Sequence, residues 1–68
     1  MKNEAQKLGQ NLKRIRTEKG MSQGDIVRAL GMPKSFISNI ENGKTNPTLA
    51  TITKLADFLK ISAADLLQ

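Results

Sequence analysis

The stretch from Ser22 to Gly43, SQGDIVRALGMPKSFISNIENG, constrains the fold of this chain more than any other. Ile26, Val27 and Leu30 mark one apolar face at helical spacing, and Phe36, Ile37 and Ile40 mark a second. Gly31 between them permits a sharp change of direction. The pattern predicts two short helices joined by a tight turn, and the remaining segments have to pack around that pair.

How they can do so is limited by size and composition. A chain of 68 residues makes one domain, 1–68, and with no cysteine and no histidine it has neither a disulfide framework nor a Cys/His metal site. Helix packing or dimerisation must supply stability. Eleven Lys or Arg against six Asp or Glu give a formal charge of +5. Such an excess on a small surface favours a polyanionic partner such as nucleic acid, and a generic solubilising surface would account for it as well. Charge alone does not separate DNA, RNA and anionic lipid. The basic region from Met1 to Lys19 lacks the apolar core of a signal peptide, and no segment approaches the ~20 apolar residues of a membrane span. The expectation is a soluble, cytoplasmic chain with no membrane partner.

In order, Ala5, Leu8, Leu12 and Ile15 recur at three- and four-residue steps and predict a first helix over 3–19. Gly9 inside it is read as permitting a close helix contact, and Gly20 as ending the helix. Ser22 and Asp25 form a capping box for the second helix. The third starts at Pro33 without a hydroxyl cap. Thr48 caps a fourth, whose core face is Leu49, Ile52, Leu55, Ala56 and Leu59. Ile61, Ser62, Asp65 and Leu66 are the start signal of a short fifth helix ending at Gln68. The fold class expected is all-α with five helices, the helix-turn-helix proper being 22–43.

Lys34, Ser35, Ser38, Asn39 and Asn42 share the side of the third helix opposite Ile37 and Ile40, and that side carries no carboxylate. Short hydroxyl and amide side chains suit base edges in a major groove, where amides match adenine and lysine matches guanine. An ordinary wet helix face would also be polar, but it usually mixes Glu with Lys, which favour helix more than Ser and Asn do. Lys34 at the positive end of the helix dipole would be relieved by a phosphate or a guanine edge, or would simply extend into water. Glu41 is offset towards the domain and needs a partner, for which Arg16 is the candidate. The loop of Lys44, Thr45, Asn46 and Pro47 has donors and no acid, and its residues are also common turn formers. Phe58, Leu66 and Leu67 exceed what one small core obviously needs. They are candidates for a two-fold interface, or they complete the monomer core.

Together KRIRTEKGMSQ, ALGM, ISNIENGKTNP and LADFLKISAADLL resemble the phage repressor and Cro-like helix-turn-helix family, also called the xenobiotic response element family. The resemblance covers nearly the whole chain. It implies a five-helix lambda-repressor-like DNA-binding domain, prokaryotic or phage-encoded, whose third helix lies in the major groove and whose dimers occupy palindromic operators. It implies base reading by Lys34, Ser35, Ser38 and Asn39, and phosphate binding by Gln23, Asn42, Lys44 and Thr45. Val27 stands where the family usually has alanine, and Pro33 replaces its usual small hydroxyl residue.

The function expected is a sequence-specific duplex DNA-binding regulator, a homodimeric repressor. It is not an enzyme, because the sequence has no histidine, no cysteine and no convergent set of carboxylates for general acid, base or nucleophile work. No cofactor, metal or small-molecule ligand is expected. The alternatives are a protein-interaction module, antitoxin-like or polymerase-binding, with DNA contact secondary, and a basic helix bundle that adheres to anionic membrane.

Overall fold

In the computed structural model, which describes residues 3–68, five helices follow one another: α1 (Glu4–Glu18), α2 (Gln23–Leu30), α3 (Lys34–Glu41), α4 (Leu49–Leu59) and α5 (Ala63–Leu67). Met1 and Lys2, the start of the basic stretch and of the expected domain 1–68, lie outside the described residues.

Four of the five helices begin on a side chain that accepts a free backbone N–H. Asn3 Oδ1 accepts from Gln6 N at 2.8 Å, a cap the sequence reading overlooked. Ser22 Oγ accepts from Asp25 N while Asp25 Oδ2 accepts from Ser22 N, closing the expected capping box at 3.1 and 2.8 Å. Thr48 Oγ1 caps α4 through Thr51 N at 3.2 Å, and Ser62 with Asp65 repeats the box at α5. Each such cap stabilises by about 1 kcal/mol. Helix α3 starts at Pro33 with no side-chain cap, and its first turn contains no acid.

Three helix ends turn through glycine in the left-handed region, Gly20 after α1 and Gly43 after α3, both with φ of 72°, and Gly31 after α2 with φ of 67°. After α3, Gly43 N donates to Ile40 O and Lys44 N donates to Asn39 O, which consumes two carbonyls left over at the helix end. The end of α4 makes the same turn with a lysine, Lys60, at φ 58°. A side chain costs ~1 kcal/mol or more there, and glycine's freedom in the unfolded chain returns only part of that. Lys60→Gly is expected to stabilise the protein by about 0.5–1 kcal/mol and raise the melting temperature by a few degrees. Thermal denaturation followed by circular dichroism checks it, and an unchanged or lower midpoint would show that the turn carries no strain.

All five helices feed one core. Leu8, Leu12 and Ile15 from α1 meet Ile26 of α2, Ile37 and Ile40 of α3, Ile52, Leu55, Ala56 and Leu59 of α4, and Leu66 of α5. Val27, Leu30, Phe36, Met21 and Ile61 pack against its edge. Helix α1 lies on α3 and α5, α2 on α3 and α4, and α4 on α5. The approach of α1 to α3 is set by Gly9, which is buried directly under the carbonyls of Ile40 and Glu41. At the other side, Asn11 Nδ2 donates to the carbonyls of Leu66 and Gln68, both at 2.8 Å, and so holds the end of α5 against α1.

Two expectations are corrected. Leu49 is not core: the apolar stripe of α4 is continuous in sequence, but its first turn lies uncovered and Leu49 is 67% exposed. Leu66 is not an interface residue, because α5 turns it inwards and the core encloses it completely. Phe58 is half-buried against the same core, whereas Leu67 is exposed. Among the described residues no helix is long and apolar enough to cross a membrane.

Candidate nucleic-acid interface

The start of α2 and the end of α3 are held together by one buried carboxylate. Arg16 Nε donates to Glu41 Oε2 at 2.6 Å and Arg16 Nη2 donates to Oε1 at 2.9 Å, a bidentate pair in which the Glu41 side chain is only 3% exposed. Arg16 Nη1 also donates to Met21 O at 3.0 Å, tying the pair to the turn that enters α2. Gln23, the first residue of α2, donates from Nε2 to Glu41 Oε1 at 3.0 Å. Glu41 therefore joins α1, α2 and α3 at one point. Burial alone would push its carboxyl up, but the hydrogen bonds from Arg16 and Gln23 and the charges of Arg16 and Lys13 outweigh that and hold it below the ordinary 4.5. The same pairing raises the Arg16 guanidinium.

With Glu41 turned inwards, the outer side of α3 is left without an acid. Lys34, Ser35 and Asn39 are exposed, and Ser38 is half-buried beside them. Asn42 Nδ2 points back to Ser38 Oγ at 3.4 Å, the long end of the hydrogen-bonding range, so both groups keep capacity for other partners. The four residues predicted to read bases thus stand on one outward face, at the spacing i, i+1, i+4, i+5. Ile37 and Ile40, fully buried on the opposite side, fix that face's direction. The residues predicted to hold phosphate gather at its C-terminal end, where Gln23 bonds Glu41. Gln23 starts α2, Lys44 is exposed in the loop after α3, Thr45 beside it is half-buried, and Asn42 closes α3. The start of this loop lies close on α1: a Cβ on Gly43 would meet Gln6 Cγ at 2.8 Å and Gln6 Cα at 3.0 Å.

On the outer side of α2, Arg28 Nη2 pairs with Asp25 Oδ1 at 2.6 Å. The Ser22 backbone amide, followed by Arg28, holds the Asp25 carboxyl below its usual range. The nearest acid to the start of α2 is thereby committed to its own helix.

The helix-turn-helix family model matches residues 12–66, from the middle of α1 through α5. The chain belongs to this helix-turn-helix family. Its membership is of the phage repressor and Cro-like kind that the motifs imply. A helix-turn-helix type transcriptional regulator of Sinorhizobium fredii, y4dJ, is 36% identical over 59 residues, spanning 87% of this chain and 77% of that protein. The transcriptional regulator SinR of Bacillus subtilis is 38% identical over 61 residues, but this chain spans only 55% of its length. Among solved structures, the restriction-modification controller protein C.AhdI of Aeromonas hydrophila superposes with a TM-score of 0.85 at 37% identity, covering 91% of this chain and 94% of that one. The hypothetical transcription factor NHTF from Neisseria reaches a TM-score of 0.90 at 30% identity, over 97% and 76%.

Two contacts of this domain escaped the sequence reading. The Gln23 bond to Glu41 joins residues eighteen apart and has no local signal. Asn11 carried a faint one, a poor helix former beside the buried stripe of α1.

Proposed function

We propose that this chain is a sequence-specific duplex DNA-binding transcriptional regulator that acts as a homodimeric repressor on a palindromic operator. The observation that carries the proposal is the outward, carboxylate-free face of α3, whose only acid is buried and bonded to Arg16. In a major groove, Lys34 matches the acceptor edge of guanine and Asn39 that of adenine, with Ser35 and Ser38 as short donors and acceptors. Gln23, Asn42, Lys44 and Thr45 gather at the C-terminal end of that face and fit the phosphates there, fixing register while α3 selects sequence. The uncapped start of α3 favours an anion. The transcriptional regulators among its relatives support the same reading. The exposed Leu67 and the half-buried Phe58 are the residues that would meet the second copy, without Leu66.

Selection of bound duplexes from a random library tests this directly. Two inverted half-sites one helical turn apart are expected, and a library that yields no preferred sequence would overturn specificity. On the selected site, Lys34→Ala or Asn39→Ala should each cost about 1–3 kcal/mol and relax the preference at one base pair, with the melting temperature unchanged. An identical preference profile would remove that residue from the reading set. Affinity should fall by roughly 10³ between 50 and 200 mM salt. A shallow salt dependence would instead favour the protein-interaction reading, for which the exposed Leu49 is the supporting observation.

A further inference from the structure

The geometry points to Glu41 as the positioning residue of the Gln23 phosphate contact, in addition to its pairing with Arg16. This inference rests on the reading of Gln23 as a phosphate anchor. A glutamine amide offers two opposed edges, an oxygen that repels phosphate and a nitrogen that donates to it. On an exposed side chain the two interchange freely by rotation about the last bond, so half the orientations are wrong for an anion. Here the choice is made in advance. Glu41 is an acceptor only, it is 3% exposed, and both its oxygens are fixed by the guanidinium of Arg16 at 2.6 and 2.9 Å. The group that Gln23 can present to Oε1 at 3.0 Å is therefore its nitrogen. One N–H is spent on Glu41, and the second, on the same nitrogen and diverging from the first, is left for the phosphate.

The arrangement also solves an electrostatic difficulty. A carboxylate close to a phosphate would repel it, but Arg16 neutralises Glu41, and the Gln23 amide stands between the carboxylate and the DNA as a neutral dipole. Met21 O receives the third Arg16 N–H at 3.0 Å, so the chain from Met21 through Arg16 and Glu41 to Gln23 begins and ends at the entrance of α2. The phosphate anchor is thus built on the end of α3, and the spacing between the anchored phosphate and the bases read by α3 is set inside the protein.

The test uses the operator recovered by selection, prepared intact and as a series with one neutral methylphosphonate at each contacted phosphate. Wild type is expected to lose roughly ten- to hundredfold at one phosphate per half-site through Gln23, the size of one hydrogen bond to a charged group. Gln23→Ala should lose sensitivity at that phosphate alone. Glu41→Gln should lose it at the same phosphate, and the double variant should bind no worse than Gln23→Ala. A Glu41→Gln protein whose affinity falls evenly at every phosphate, or which keeps the wild-type pattern, would overturn the positioning role. If Gln23→Ala alters no phosphate although the operator is bound, the anchor itself fails; if no operator is selected, the proposed function fails first. A measurement on wild type covers the case in which Glu41→Gln does not fold. Of the two side-chain amide protons of Gln23, one should be slow to exchange in the free protein and the other should become protected only on the operator. Fast exchange of both in the free protein would overturn the inference.

Discussion

Replacing Gly9 with alanine is expected to destabilise the protein by roughly 3 kcal/mol, a large share of the total for a domain of this size. A Cβ at this position would lie 2.7 Å from the carbonyl oxygen of Glu41 and closer still to that of Ile40. Both obstacles are backbone, so no rotamer change relieves them, and α1 must lift away from α3. The intrinsic preference of a helix for alanine over glycine, up to ~1 kcal/mol, offsets only part of this. Gly24→Ala in α2 is the control, since its nearest neighbour is the movable guanidinium of Arg28 at 3.2 Å. It should be neutral or slightly stabilising. Urea unfolding of both variants separates the two cases, and a wild-type midpoint for Gly9→Ala would show that α1 does not rest on α3 as described.

Arg16→Ala should cost about 3 kcal/mol at neutral pH, because it leaves the Glu41 carboxylate buried with Gln23 as its remaining hydrogen-bond donor. The effect has a pH signature. In the wild type the folded carboxyl sits below 4.5, so its contribution to stability is present above that value and is lost as pH falls through the lowered one. In the variant, burial without the guanidinium pushes the carboxyl up, and the deficit shrinks as protonation removes the stranded charge. Stability curves of the two proteins should therefore converge on acidification. Parallel curves from pH 7 to pH 4 would dissociate Arg16 from Glu41. Sequence preference among operators should change less than stability does, since Arg16 faces the interior.

Much of this fold was legible because its rules are local. Capping boxes at Ser22 and Ser62, the turn at Gly31 and the stripes of α1 and α4 depend on residues three or four apart, which is the range over which a helix organises itself. The polar face of α3 was legible for the same reason, and so was Glu41's need for a partner, because it falls off both that face and the buried one. The errors lie where cover comes from elsewhere. Leu49 continues a correct apolar stripe and is exposed because nothing reaches the first turn of α4, while Leu66 follows a staple pattern and is enclosed because α5 folds back over the core.

What the sequence determined by itself was the set of helices, their ends and the outward chemistry of α3, through periodicity and caps that act within one turn. Tertiary structure alone decided which leucines have a surface, how closely α1 rests on α3 through Gly9, and which edge of Gln23 meets Glu41. Those outcomes depend on atoms brought together from positions eighteen to fifty-seven residues apart, as Gln23 with Glu41 and Asn11 with the end of α5 are, and no local pattern encodes them.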